Sequence, residues 1–132
     1  MGDLFWPGDG RAGHLMSAPA LLAAMTTVEA AWLDALVSAR HATTEASDDL
    51  TGLVGDNDLS AISLGAEAGG NPVIPFLGLL RERLSVRNPD AACWVHRGLT
   101  SQDVLDTALA LCLRDATDRL KVELAASTPR PS

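Results

Sequence analysis

The sequence predicts an all-α domain, and three observations predict it. Alanine and leucine dominate while aromatic residues are few, with three Trp, two Phe and no Tyr. Ala and Leu lose little on entering a helix, whereas sheets favour β-branched and aromatic side chains. Apolar residues recur at helical spacing in several stretches, and no stretch of useful length alternates apolar with polar residues. With 132 residues, 47% of them hydrophobic, the chain is long enough for one domain and too apolar to be disordered throughout.

Residues 1–16 are rich in glycine and read as a loop or arm. Ser17 suits an N-cap, with Pro19 inside the first turn. A long helix then runs to about Arg40. Its apolar stripe is Leu21, Met25, Val28, Trp32 and Leu36, and Glu29 and Asp34 fall off that stripe. Residues 41–56 are polar and less periodic; a short helix near 44–54, closed by Gly55, is the expectation there. Asp56 or Asp58 can cap a helix over 59–68, ended by Gly69-Gly70.

Asn71-Pro72-Val73-Ile74-Pro75 is expected to begin extended, because a residue before proline avoids the α region. The helix that follows points Phe76, Leu77, Leu80 and Leu84 inward and Arg81, Glu82 and Arg83 mostly outward. Asn88-Pro89-Asp90 breaks it, and 91–95 form a short turn. The last helix opens on Thr100-Ser101-Gln102-Asp103, which has the form of a capping box. Its stripe is Leu105, Leu109, Cys112, Ala116 and Leu120, fading after Leu124. The expected organisation is an arm over 1–16, a helical domain over 17–124 and a disordered tail over 125–132.

The formal net charge is −7, which repels phosphate backbones and argues against nucleic acid. No apolar run approaches the roughly 20 residues that span a bilayer. The N-terminus lacks the basic and apolar regions of a signal peptide, and Met1-Gly2 is by itself a slight myristoylation signal. A cytoplasmic protein without membrane or nucleic-acid partners is expected. Cys93 and Cys112 lie among apolar residues without metal or redox spacing, and read as buried, reduced thiols.

The stretch from Trp94 to Ala108 carries the chemistry. It sets His96, Arg97, Gly98, Thr100 and Ser101 at the mouth of a helix N-terminus, where unpaired N–H groups and the helix dipole favour an anion. The two hydroxyls can donate to a carboxylate, and Arg97 can bind one with two parallel hydrogen bonds. Against this, capping boxes begin many helices, and a histidine beside a tryptophan is more often packed than catalytic.

The pattern His96-x-Gly98-x-Thr100-Ser101-x-Asp103-Val104-x-Asp106-Thr107-Ala108 resembles the first of three signature regions of the fumarase/aspartase superfamily. Gly69-Gly70-Asn71-Pro72-Val73-Ile74-Pro75 is similar to a segment of that superfamily's lactone-forming cycloisomerase branch, where adenylosuccinate lyases carry a His-Asp pair. The resemblance implies the amino-terminal helical domain of such an enzyme, truncated before the long central helical bundle. It implies a small tricarboxylate substrate, addition of a carboxylate across a double bond in aromatic-compound degradation, no metal or organic cofactor, and a homotetramer whose active sites combine three subunits. It assigns His96, Arg97, Thr100, Ser101 and Asn71 to substrate binding. A histidine of the second region and a catalytic serine of the third are not found in this sequence, and His14 and His41 match neither. No catalytic residue is assigned, and the chain alone is expected to be inactive. An adenylosuccinate-lyase-type enzyme is a second reading, disfavoured by Asn71-Pro72. A non-enzymatic helical interaction module is a third.

Overall fold

Polar caps and glycine stops divide the chain into helices, and the computed structural model describes residues 4–127. Met1-Gly2 and the end of the expected tail, 128–132, lie outside the described residues. The helices are α1 (Ala18–Ser38), α2 (Leu59–Gly69), α3 (Val73–Arg87), α4 (Pro89–Trp94) and α5 (Ser101–Ser127). Single 3₁₀ turns lie at Asp9–Arg11, Thr44–Ala46 and Asp56–Asp58, and no strand occurs among the described residues.

The Ser17 hydroxyl accepts from the Ala20 N–H at 3.3 Å and starts α1 as expected. The helix ends at Ser38, where Arg40 turns the chain at φ +61°. The face it buries is Leu22, Ala24, Met25, Glu29 and Leu33. Of the expected stripe only Met25 is buried; Leu21, Val28, Trp32 and Leu36 are half-buried. An Ala-rich helix offers adjacent apolar stripes about 100° apart, and the partner elements choose between them. Here α5 packs along α1, and the segment after α4 engages Glu29 and Trp32. At 21 residues and a mean hydropathy of 1.5, α1 is long and apolar enough to cross a membrane. That corrects the expectation that no such stretch exists: alanine spreads modest apolarity over the whole helix instead of concentrating it in one run. A core helix meets the same criterion, and α1 buries a carboxylate and packs on α5.

The segment 41–58 is not helical over 44–54; one 3₁₀ turn forms and the rest is irregular. Its carbonyls are met by side chains from the end of α3. Arg83 donates to Leu53 O at 2.7 Å, Arg87 to Asp49 O, and Asn88 to Glu45 O at 2.9 Å. Arg83 also grips both carboxylate oxygens of Asp58 at 2.7 Å, so it is half-buried instead of outward. Asp58 precedes α2 but does not cap it; its Oδ2 accepts from the Gly55 N–H at 2.9 Å.

Gly70, at φ +87°, ends α2 with its N–H on Ala66 O at 2.8 Å. The next helix starts at Val73, earlier than expected. Asn71 Oδ1 accepts from the N–H groups of Val73 at 3.0 Å and Ile74 at 3.4 Å. Pro75 then falls in the first turn, where a missing N–H costs nothing. A Cβ on Gly65 would sit 2.7 Å from Pro75 Cβ, so glycine permits the close approach of α2 to α3. Asn88 closes α3 through its N–H on Leu84 O and opens α4 by accepting from the Ala91 N–H.

Phe76, Leu77, Leu80 and Leu84 of α3 are buried as expected, beside Met25, Leu33, Leu50, Val95 and Val104. On α5 the buried residues are Val104, Ala108 and Cys112. Of the expected stripe, Cys112 is buried and Leu105 and Ala116 are half-buried, while Leu109 and Leu120 are 42% and 61% exposed. The helix runs on to Ser127, past the fade read at Leu124. Both cysteines are free thiols; Cys112 is buried, but Cys93 is exposed, because it falls on the outer side of the short α4.

Candidate carboxylate site

The turn between α4 and α5 is made by two left-handed residues, His96 at φ +63° and Gly98 at φ +88°. Glycine adopts that conformation freely, but histidine does so at a cost of about 1–2 kcal/mol, so its surroundings must hold it there. Two hydrogen bonds from α1 do so. The Trp32 indole N–H donates to Arg97 O at 2.8 Å, and Glu29 Oε1 lies 2.6 Å from His96 Nδ1. Glu29 is fully buried and the His96 side chain is 13% exposed. Burial pushes the Glu29 carboxyl above its ordinary value of 4.5, against the opposing pull of the His96 hydrogen bond. Its second oxygen, Oε2, is buried without a hydrogen-bond partner.

The capping box is complete. Asp103 Oδ2 accepts from the Thr100 N–H at 2.7 Å and the Thr100 hydroxyl at 2.8 Å, and the Asp103 N–H returns to Thr100 Oγ1 at 3.2 Å. Those two Thr100 bonds hold the Asp103 carboxyl below its ordinary value. The one hydrogen of the Thr100 hydroxyl is therefore engaged within the helix start. Ser101 is half-buried and its hydroxyl has no partner among the described residues. Arg97 is exposed, with its guanidinium 4.4 Å from the centroid of the Trp94 ring. Asn71 lies in the α2–α3 turn, where its side-chain oxygen caps α3, and no hydrogen bond ties it to the 96–103 segment. The candidate donors of the 96–101 segment are thus His96, Arg97 and the Ser101 hydroxyl, while the Thr100 and Asp103 N–H groups are already engaged in the cap. Among the described residues no three His, Cys, Asp or Glu side chains come together to hold a metal ion.

The residue that sequence reasoning missed is Glu29. The signal was present: Leu22, Met25, Glu29 and Leu33 recur at helical spacing, so a carboxylate sits in the middle of an apolar stripe.

The strand-free helical fold of the described residues and the partial matches that follow are consistent with an amino-terminal piece of a fumarase/aspartase-superfamily protein. The chain is 36% identical over 110 residues, 73% of its length, to nitrosuccinate lyase of Streptomyces davaonensis, of which that stretch is 23%. It is 41% identical over 68 residues to 3-carboxy-cis,cis-muconate cycloisomerase of Bradyrhizobium diazoefficiens, covering 52% of this chain and 15% of that protein. It is 44% identical over 59 residues to the Acinetobacter baylyi enzyme of the same name, covering 45% of this chain and 13% of that one. The chain thus spans less than a quarter of these relatives. No family model matches it, and no solved structure does.

Proposed function

We propose that this chain forms the first-signature-region share of a cytoplasmic, cofactor-independent enzyme acting on a small polycarboxylate, and that the reaction is the lactone-forming cyclisation of 3-carboxy-cis,cis-muconate. The observation that supports it is the start of α5 at Ser101, which follows directly on the His96 turn and leaves the Ser101 hydroxyl without a partner among the described residues, in a chain whose relatives bear such substrates in their names. In the reaction a carboxylate adds to an alkene carbon and a proton to its neighbour. Charge builds up next to another carboxylate on the way, and fixed donors stabilise it. Ser101, His96 and the start of α5 supply donors; Arg97 supplies positive charge, and Thr100 holds the helix start. Asn71 acts only indirectly, by fixing the α2–α3 turn. Proton transfer falls to groups contributed from elsewhere in a homotetramer, so the chain alone does not turn over.

A second reading is elimination from nitrosuccinate, favoured by one observation: that match extends over 73% of the chain, against 52% and 45% for the two cycloisomerases. Absorbance assays with both substrates test the readings on the 132-residue chain and on a longer enzyme carrying this domain. The chain alone is expected to leave both untouched; the longer enzyme is expected to consume the muconate. There, Ser101→Ala should slow turnover by about 100- to 1000-fold, as for loss of one donor to a developing oxyanion. Near-normal turnover would leave Thr100–Asp103 as a helix cap and nothing more.

A further inference from the structure

Packing does not account for Glu29. It is fully buried, one carboxylate oxygen meets His96 Nδ1 at 2.6 Å, and the other has no hydrogen-bond partner among the described residues. A buried charged oxygen without a partner is costly. The charged groups that face the pair come from two further elements. Arg81 of α3 acts on Glu29 through space while its guanidinium donates to Val95 O at 3.3 Å, and Asp103 of α5 acts on His96.

The pair has three arrangements of protons near neutrality. In the first, Glu29 is a carboxylate and His96 is neutral with its hydrogen on Nδ1; the core then holds a net negative charge, and Nε2 is bare. In the other two, a further proton lies between Nδ1 and Oε1, either as an imidazolium–carboxylate pair or as a carboxylic acid donating to a neutral ring. Neither of these buries net charge, and in both Nε2 carries a hydrogen. Burial with only one partner selects against the first arrangement, against the opposing pull of the Arg81 charge on Glu29. Nε2 itself makes no hydrogen bond among the described residues. It also keeps solvent access, since Glu29 Oε2 is the one buried side-chain polar atom left without a partner among the described residues.

We propose that Glu29 is a positioning residue: it holds a proton in common with His96, fixes the ring in its left-handed turn, and so presents His96 Nε2–H as a hydrogen-bond donor to a substrate carboxylate. The last clause rests on the carboxylate-site reading above. The pair matches an anionic ligand where a bare Nε2 would repel it, and it places the donor beside Ser101 without adding net charge to the core.

Ring-nitrogen NMR on the 132-residue chain tests this. At neutral pH the wild type should show a hydrogen on His96 Nε2 and an Nδ1 signal displaced by the common proton. The exposed rings of His14 and His41 serve as internal references for unpaired imidazole. In Glu29→Leu both His96 nitrogens should take the values of those references, with the fold retained. A bare Nε2 in the wild type, or an unchanged His96 in the variant, overturns the proposal; if Glu29→Leu does not fold, the wild-type spectrum decides alone. Fumarate, a small dicarboxylate, is then titrated in. It should shift the wild-type Nε2 signal and bind on the order of tenfold more weakly to Glu29→Leu. A hydrogen-bearing Nε2 that ignores fumarate sinks the carboxylate site and the last clause with it, while the common proton stands.

Discussion

Asp58 and Glu29 both tie together segments far apart in sequence, and they do so under opposite conditions. Asp58 gives both oxygens to Arg83, accepts a third bond from Gly55, and keeps its charge; these bonds hold its carboxyl down at about 2. Glu29 has one partner and one bare oxygen, and burial drives its carboxyl upward. The first pair is complete within the chain, so its purpose is architectural: it pins the irregular segment 41–58 to α3. The second is incomplete as packing, and the proposal above gives it a use through His96. A satisfied ion pair points inward to the fold, and an unsatisfied one points to a function.

The comparison breaks most visibly at His96. His96→Ala leaves Glu29 buried with no partner and should cost about 3–5 kcal/mol in denaturant melts, whereas Glu29→Leu, an apolar replacement of similar volume, should be close to neutral. Equal losses in the two variants would mean that the pair is merely packed.

Acid and base should pull the two carboxyls in opposite directions. Asp58 releases its proton more readily folded than unfolded. Its contribution is therefore complete above the ordinary value of 3.8 and is lost as pH falls toward about 2. Glu29 retains its proton more strongly when folded, so its contribution is complete below 4.5 and is lost as pH rises through the raised value. Thermal melts across this range should show a smaller acid-side loss in Asp58→Asn and a flatter decline above 4.5 in Glu29→Gln. A Glu29→Gln profile that parallels wild type above that point contradicts the raised carboxyl.

The smallest effects lie at the helix start. Thr100→Ala removes the reciprocal cap and should cost about 1 kcal/mol. Ser101→Ala should change stability by less than about 0.5 kcal/mol, since it touches no cap. Chemical denaturation of the two side by side separates the capping residue from the donor; a Ser101→Ala loss as large as that of Thr100→Ala would make Ser101 structural.

What the sequence disclosed follows from how local each cause is. The Thr100–Asp103 box, the Ser17 cap, the Gly70 stop and the inward face of α3 are decided within a turn or two of chain, and all are found where their signals lie. The buried face of α1 was misplaced by about one residue because alanine makes neighbouring stripes almost equally apolar. Only α5 and the turn at 95–99, more than sixty residues away by the spacing of Trp32 and Arg97, choose between them. Asp58–Arg83 and the ordering of 41–58 are non-local in the same way. At the site, the segment 96–103 was legible as a unit, but the pairing of His96 with Glu29 and the role of Asn71 as the α3 cap emerge only from geometry.

The bond from the Trp32 indole to Arg97 O has an optical consequence. Trp32 sits half-buried where α1 meets the turn that carries His96, while Trp6 is 69% exposed in the arm and Trp94 lies under a guanidinium. If the turn lifts from α1, the indole N–H exchanges a carbonyl for water and its emission moves to longer wavelength. Trp94 borders the same turn, so it and Trp6 are each replaced by phenylalanine to leave Trp32 as the single fluorophore. The chain therefore carries its own unlabelled gauge of whether His96 is docked, readable in a cuvette at micromolar concentration and on the timescale of mixing.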